Sequence, residues 1–179
     1  MNAIPTTAAQ DAIDEGLLRD SARSFAAKSA PLTRLRALRD SATGYDAGLW
    51  REMSELGWTG MLLPERVGGS GLSLAALGVV LEELGRVLAP EPLLEVGGVS
   101  ALLLAGLESA AADGVAAQLA AGEALVITAW QGHPREARRD WRAVTARADN
   151  GAYVLDGTLH AVPHAASATH LLMPALLLD

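Results

Sequence analysis

The chain has 179 residues, a formal net charge of −7, no cysteine, and a composition that is 50% hydrophobic but only 4% aromatic. That length holds one domain, or one and a part, around a core built mainly of Ala, Leu and Val. The lack of cysteine excludes disulfides, thiolate nucleophiles and zinc–thiolate sites, and it makes the cytoplasm the default compartment. The acidic balance argues against a nucleic-acid partner, because phosphate binding needs clustered positive charge. No membrane span is expected, since the longest apolar run falls well short of about 20 residues. The opening Met1-Asn2-Ala3-Ile4-Pro5 has neither the basic nor the apolar region of a signal peptide, so a soluble chain is expected.

Taken in order, Thr7 and Gln10 form a capping box that starts a helix expected to run to about residue 30. Its apolar positions Ile13, Leu17, Leu18, Ala22, Phe25 and Ala26 make one stripe, and Pro31 ends it. Residues 32–45 read as a partly helical linker leading to Asp46, a good N-cap. Leu49, Met53 and Leu56 then share a helical face, and Gly57 stands where a left-handed C-cap is wanted. Leu62-Leu63 before Pro64 is extended, and Gly68 to Gly71 permit a tight loop. Ser73 caps the next helix, whose buried face is Leu77, Val80, Leu81, Leu84 and Leu88, with Glu82, Glu83 and Arg86 on the wetter side. Pro90 and Pro92 force a turn, after which residues 93–107 and 110–121 read as two further helices.

Beyond Gly122 the periodicity changes. Residues 124–130, 142–148, 153–155 and 170–173 are short β-prone runs, separated by Asp149-Asn150-Gly151 and Asp156-Gly157, which read as hairpin turns. The charge also changes there: residues 124–179 hold five acidic and five basic groups, so the whole of the net charge of −7 falls on residues 1–123. The expected fold is α+β, an all-α helical bundle over 1–123 followed by an incomplete antiparallel β domain over 124–179.

Several motifs carry less chemistry than they suggest. Gly68 to Gly71 lacks the Lys-Ser/Thr of a P-loop and the spacing of a dinucleotide fingerprint, so it reads as a structural turn. Glu82 and Glu83 are adjacent on a helix and diverge by about 100°, so they cannot converge on one substrate atom; a solvated or locally paired face is expected. His160 and His164 have the spacing of helical metal ligands, but Pro163 lies between them in a strand-like segment, and no metal site is expected. Arg135, Arg138, Arg139, Arg142 and Arg147 alternate with Glu136 and Asp140 and read as a solvated loop, with contact to a cofactor or CoA phosphate as the lesser reading.

The word order from Gly57-Trp58 through Pro64-Glu65 and Gly68-Gly69-x-Gly71 to Glu82-Glu83-Leu84-Gly85-Arg86 resembles the amino-terminal helical domain of the acyl-CoA dehydrogenase family. The helices-then-strands order is similar too, and the family's carboxyl-terminal bundle has no counterpart here. The resemblance implies FAD as cofactor and an acyl-CoA thioester as substrate, from fatty-acid or steroid side-chain degradation. Where relatives carry Thr-Glu-Pro on a first strand, this chain reads Ala129-Trp130-Gln131. Where relatives carry Trp-Ile-Thr, whose Trp stacks on the flavin and whose Thr hydrogen-bonds it, this chain has Ala161-Val162-Pro163. These six residues are the cofactor-facing candidates that the resemblance implies. The degenerate pattern is similar to the small subunit of heteromeric acyl-CoA dehydrogenases of the pimeloyl-CoA or actinobacterial type.

In the family a carboxylate takes the α-proton of the thioester while a hydride leaves for the flavin. That carboxylate belongs to the bundle or other sequence, so no catalytic residue is assigned here. Two functions follow. One is a component of a flavoenzyme, an oligomer with another acyl-CoA dehydrogenase chain, its FAD site completed by other sequence or a partner. The alternative is a non-catalytic helical module for dimerisation or acyl-CoA recognition.

Overall fold

The computed structural model describes residues 7–29, 32–133, 136–139 and 143–178, with side chains described for 15–28, 33–133 and 143–178. Helix α1 spans Thr7–Ser29, α2 Leu32–Arg39, α3 Ala47–Glu55 and α4 Leu74–Arg86. Several of these starts and stops have a local cause. The Asp46 carboxylate accepts the N–H groups of Gly48 at 2.7 Å and Leu49 at 3.2 Å, capping α3. Gly57 then takes φ +77, and the Trp58 N–H returns to the Met53 carbonyl at 3.0 Å. Ser73 caps α4 through the Ala76 N–H. The linker expected to be partly helical is α2 followed by bends over 41–45.

Residues 93–107 depart from a single regular helix. A π-helical stretch, Leu94–Ser100, runs directly into α5, Ala101–Ala105. Gly97 lies in that stretch because a Cβ there would sit 3.2 Å from the Trp58 carbonyl and 3.3 Å from that of Thr59. The absent side chain lets the wide turn press against the Trp58–Thr59 backbone. Helix α6, Ala110–Ala120, is capped by Ser109.

Helices α1 and α4 pack side by side, with the Phe25 ring edge-on to Trp58 at 5.1 Å and 69°. The surrounding core takes Met53 from α3, Met61 and Leu63 from the loop, Leu77 and Val80 from α4, and Leu119 from α6. It continues through Ala124, Leu125, Val126 and Ile127, so one apolar cluster crosses the point where helix gives way to strand.

Among the described residues seven short strands follow: β1 Val126–Thr128, β2 Gln131–His133, β3 Glu136–Arg139, β4 Val144–Asp149, β5 Ala152–Gly157, β6 His170–Leu172 and β7 Leu176–Leu178. Strands β4 and β5 form an antiparallel hairpin whose turn residues Asn150 and Gly151 have φ +48 and +84, the pair of left-handed residues a tight two-residue turn needs. Strands β2 and β3 are also antiparallel. The α+β order is as the sequence indicates, but not every pairing is antiparallel: β1 pairs parallel with β6, and β4 parallel with β7. Nor does Asp156-Gly157 turn a hairpin. Both residues pair within the sheet, with Thr145 and Val144, and the chain leaves β5 in a long loop instead. Alternation along a strand says which face is apolar and nothing about the direction of its neighbour.

Two buried glutamates join elements distant in sequence. Glu83 on α4 is 2% exposed and holds Arg19 at 2.9 Å and Arg23 at 3.1 Å, both from α1. Glu91, in the turn after α4, binds Arg34 of α2 at 2.6 Å and accepts the Asp46 N–H at 3.2 Å. The expected solvated face holds for exposed Glu82, which is bonded to Arg86 one turn on and also to Arg19 of α1 at 2.7 Å, whereas Glu83 is a buried cross-link.

Candidate functional site

The two segments singled out in the sequence meet. Strand β1 delivers Ala129, which is buried and donates its N–H to the Leu172 carbonyl at 2.8 Å, holding it against β6. Trp130 is 36% exposed, and Gln131 opens β2, its side-chain amide donating to the His133 carbonyl at 2.9 Å. The Gln131 carbonyl accepts the His160 N–H at 2.8 Å, which brings the loop of Ala161, Val162 and Pro163 beside the first segment. Val162 packs against the core, whereas Ala161 and Pro163 are exposed, and Ala161 has φ +50.

Between them lies an open groove of about 530 Å³, lined by Ala129, Val144, Leu155, Gly157, Leu159, Val162, Ala165, Leu171 and Met173. Of the six candidates, Ala129 and Val162 line it, while Trp130, Gln131, Ala161 and Pro163 flank it. The sequence reading missed the strand residues Val144, Leu155 and Leu171. Their apolar character was visible, but the crossing of β4, β5 and β6 that brings them together was not.

The lining side chains are all apolar, and the polar part of the lining is backbone. The lining fits the flank of a flat ring system, and it offers no hydroxyl, amide or charged side chain to the ring's polar edge. Position 161 lacks an aromatic face and position 163 a hydroxyl. The groove thus presents an apolar wall with no hydroxyl, amide or charged side chain on it. Among the described residues none of the lining is a carboxylate.

The remaining candidates have structural partners. From Gly68 to Leu72 every backbone N–H donates to a backbone carbonyl, of Glu65, Pro64, Gly60, Leu63 and Met61 in turn, leaving none free to cradle a phosphate. The Glu83 carboxyl is held below the ordinary carboxylate range by hydrogen bonds from Arg23 and then Arg19, and Glu82 likewise by Arg19 and then Arg86. Both are anchored anions and not proton acceptors. The His164 ring lies against Tyr45, and His170 Nδ1 lies 3.0 Å from the Thr169 hydroxyl. No group of three or more His, Cys, Asp or Glu among the described residues is placed to hold a metal ion. The side chains of Arg135, Arg138, Arg139 and Arg142 lie outside the described residues, and no described helix is long and apolar enough to cross a membrane.

A helical unit stapled by Arg–Glu pairs and followed by short strands defines an α+β class of fold, and the comparisons with known proteins identify the family. Residues 13–123 match the family model described as acyl-CoA dehydrogenase, N-terminal domain, and the chain belongs to the acyl-CoA dehydrogenase family. It is 40% identical over 111 residues to acyl-CoA dehydrogenase IpdE2 of Mycobacterium tuberculosis, a match covering 61% of this chain and 34% of the relative. Among solved structures, a variant of the Tcur3481-Tcur3483 steroid ACAD superposes with TM-score 0.80 at 34% identity, over 93% of this chain and 45% of that one. The ChsE4-ChsE5 complex from Mycobacterium tuberculosis superposes with TM-score 0.77 at 27% identity, over 99% of this chain and 46% of that one. This chain therefore spans less than half the length of these relatives.

Proposed function

We propose that this chain is a component of an acyl-CoA dehydrogenase-type flavoenzyme that desaturates an acyl-CoA thioester at the α,β position. Its FAD site is completed by other sequence or by a partner chain of the same family. The observation that supports this most directly is the junction of Ala129–Gln131 with Ala161–Pro163 through the His160–Gln131 hydrogen bond, beside a groove whose lining side chains are all apolar. Bound FAD would supply the hydride acceptor, chemistry that no side chain provides. This chain's own contribution is to flank the ring, through Ala129 and Val162, and to keep water from it, through Leu159, Leu171 and Met173. The α-proton goes to a carboxylate from outside the groove. The descriptions of the structural neighbours, one a steroid ACAD and one a complex of two named chains, support an unlike partner and a steroid-derived acyl group.

The test is purification with and without a partner. The chain alone is expected to be colourless. Co-expressed with a catalytically complete acyl-CoA dehydrogenase chain, it should co-purify with FAD whose absorbance bleaches on adding acyl-CoA. A yellow preparation of the chain alone would show that the wall suffices to bind FAD. A colourless monomer indifferent to every such partner would favour the non-catalytic interaction module.

A further inference from the structure

The loop that carries Ala161, Val162 and Pro163 contains two non-glycine residues in the left-handed region, Ala161 at φ +50 and His164 at φ +53. A side chain with a Cβ occupies that region only when its surroundings over-determine it. One end of the loop is held by the His160 N–H on the Gln131 carbonyl. The other end is held across the molecule: the His164 ring meets Tyr45 edge-on, with centroids 5.9 Å apart and planes at 72°.

Tyr45 is itself fixed. Its ring lies edge-on to Trp50 of α3 at 6.4 Å, its carbonyl accepts the Thr43 hydroxyl at 2.9 Å, and the next residue caps α3 while resting its N–H on buried Glu91. The contact thus ties the strained loop to a rigid corner of the helical half, where α3 begins.

We propose that Tyr45 and His164 are positioning residues: their ring contact clamps the 160–167 loop so that Val162 and its neighbours form the groove wall. Neither residue lines the groove, so each would act on it through the loop. The inference rests on the flavin-site reading only for its functional consequence, and the clamp itself is testable without flavin.

In the chain alone, amide hydrogen exchange is followed at His160 and Ser167, whose N–H groups are bonded to Gln131 and His164, with the Trp58 amide as a core reference. Losing an edge-on ring pair by Tyr45→Leu or His164→Asn should speed exchange at His160 and Ser167 by about tenfold and leave Trp58 unchanged. Asparagine tolerates the left-handed backbone, so His164→Asn removes the ring without adding strain. Tyr45→Phe keeps a ring and should behave as the native chain. In the co-expressed assembly, Tyr45→Leu should weaken FAD retention and Tyr45→Phe should not. Unchanged loop exchange in Tyr45→Leu would overturn the clamp, and so would equal acceleration at Trp58. Faster loop exchange with undiminished FAD retention would overturn the positioning role. If the native assembly holds no flavin, the functional reading fails while the exchange result still decides the clamp.

Discussion

At the scale of single residues, the glycines of the 57–71 segment are backbone requirements, each for its own reason. Gly57 and Gly71 occupy φ +77 and +61, which a Cβ makes costly, whereas a Cβ on Gly69 would collide with the carbonyl of Leu63. Gly71→Ala and Gly69→Ala should each lower stability by more than about 1 kcal/mol in chemical denaturation. Ligand binding lost with melting unchanged would instead assign the loop to a ligand. Glu91 offers a second test at this scale. Its side chain is fully buried between the Arg34 guanidinium and the Asp46 N–H, so Glu91→Ala takes the carboxylate from a mostly buried guanidinium and removes the acceptor of the N–H that leads into α3. The expected loss is about 3 kcal/mol, read as a lower denaturant midpoint.

At the scale of elements, α1 and α4 are joined by a cross-link whose pH dependence has a definite sign. The Glu83 and Glu82 carboxyls are held below their ordinary value of 4.5 by arginine hydrogen bonds, Arg23 leading for Glu83 and Arg19 for Glu82. A depressed folded-state value means that the contribution is fully present above the unfolded value and is lost as pH falls through the folded one. The melting temperature of the native chain should therefore exceed that of Glu83→Gln at neutral pH. The gap should begin to close below about pH 4.5 and vanish in stronger acid, as thermal melts across that range would show. A gap independent of pH would mean that Glu83 acts by packing alone. That Glu83 is buried was not legible in Glu82-Glu83-Leu84, because its partners lie about sixty residues earlier in the chain.

At the scale of the whole molecule, the first strand is part of the helical core. Val126 and Ile127 are buried in the same cluster as Phe25, Met53 and Leu77. Ile127→Ala should cost about 2–5 kcal/mol and should shift the helical melting transition, which far-ultraviolet circular dichroism reads directly. If the helices melted where they do in the native chain, the strand would be a separate unit. The outer strands differ: Tyr153, Val154 and Leu155 on β5 and Leu176 to Leu178 on β7 are all exposed. Such edges recruit other strands, in keeping with the proposal that other sequence or a partner chain covers them.

What the sequence determined by itself was whatever a few neighbouring residues can enforce. Asp46 and Ser73 start helices, Gly57 stops one, Asn150-Gly151 makes the hairpin, and each acts on backbone groups within about four residues. The run of such signals from Gly57 to Arg86 was also enough to suggest the family. The tertiary structure alone decided the parallel pairings of β1 with β6 and of β4 with β7, and the burial of Glu83 and Glu91. It also decided the meeting of Gln131 with His160 and of Tyr45 with His164, which makes a groove from residues that are apolar in sequence but unremarkable alone. The reason is that a cap or turn is satisfied by its own neighbours, whereas the partner of a strand, a buried charge or a ring is chosen by the packing of the whole core.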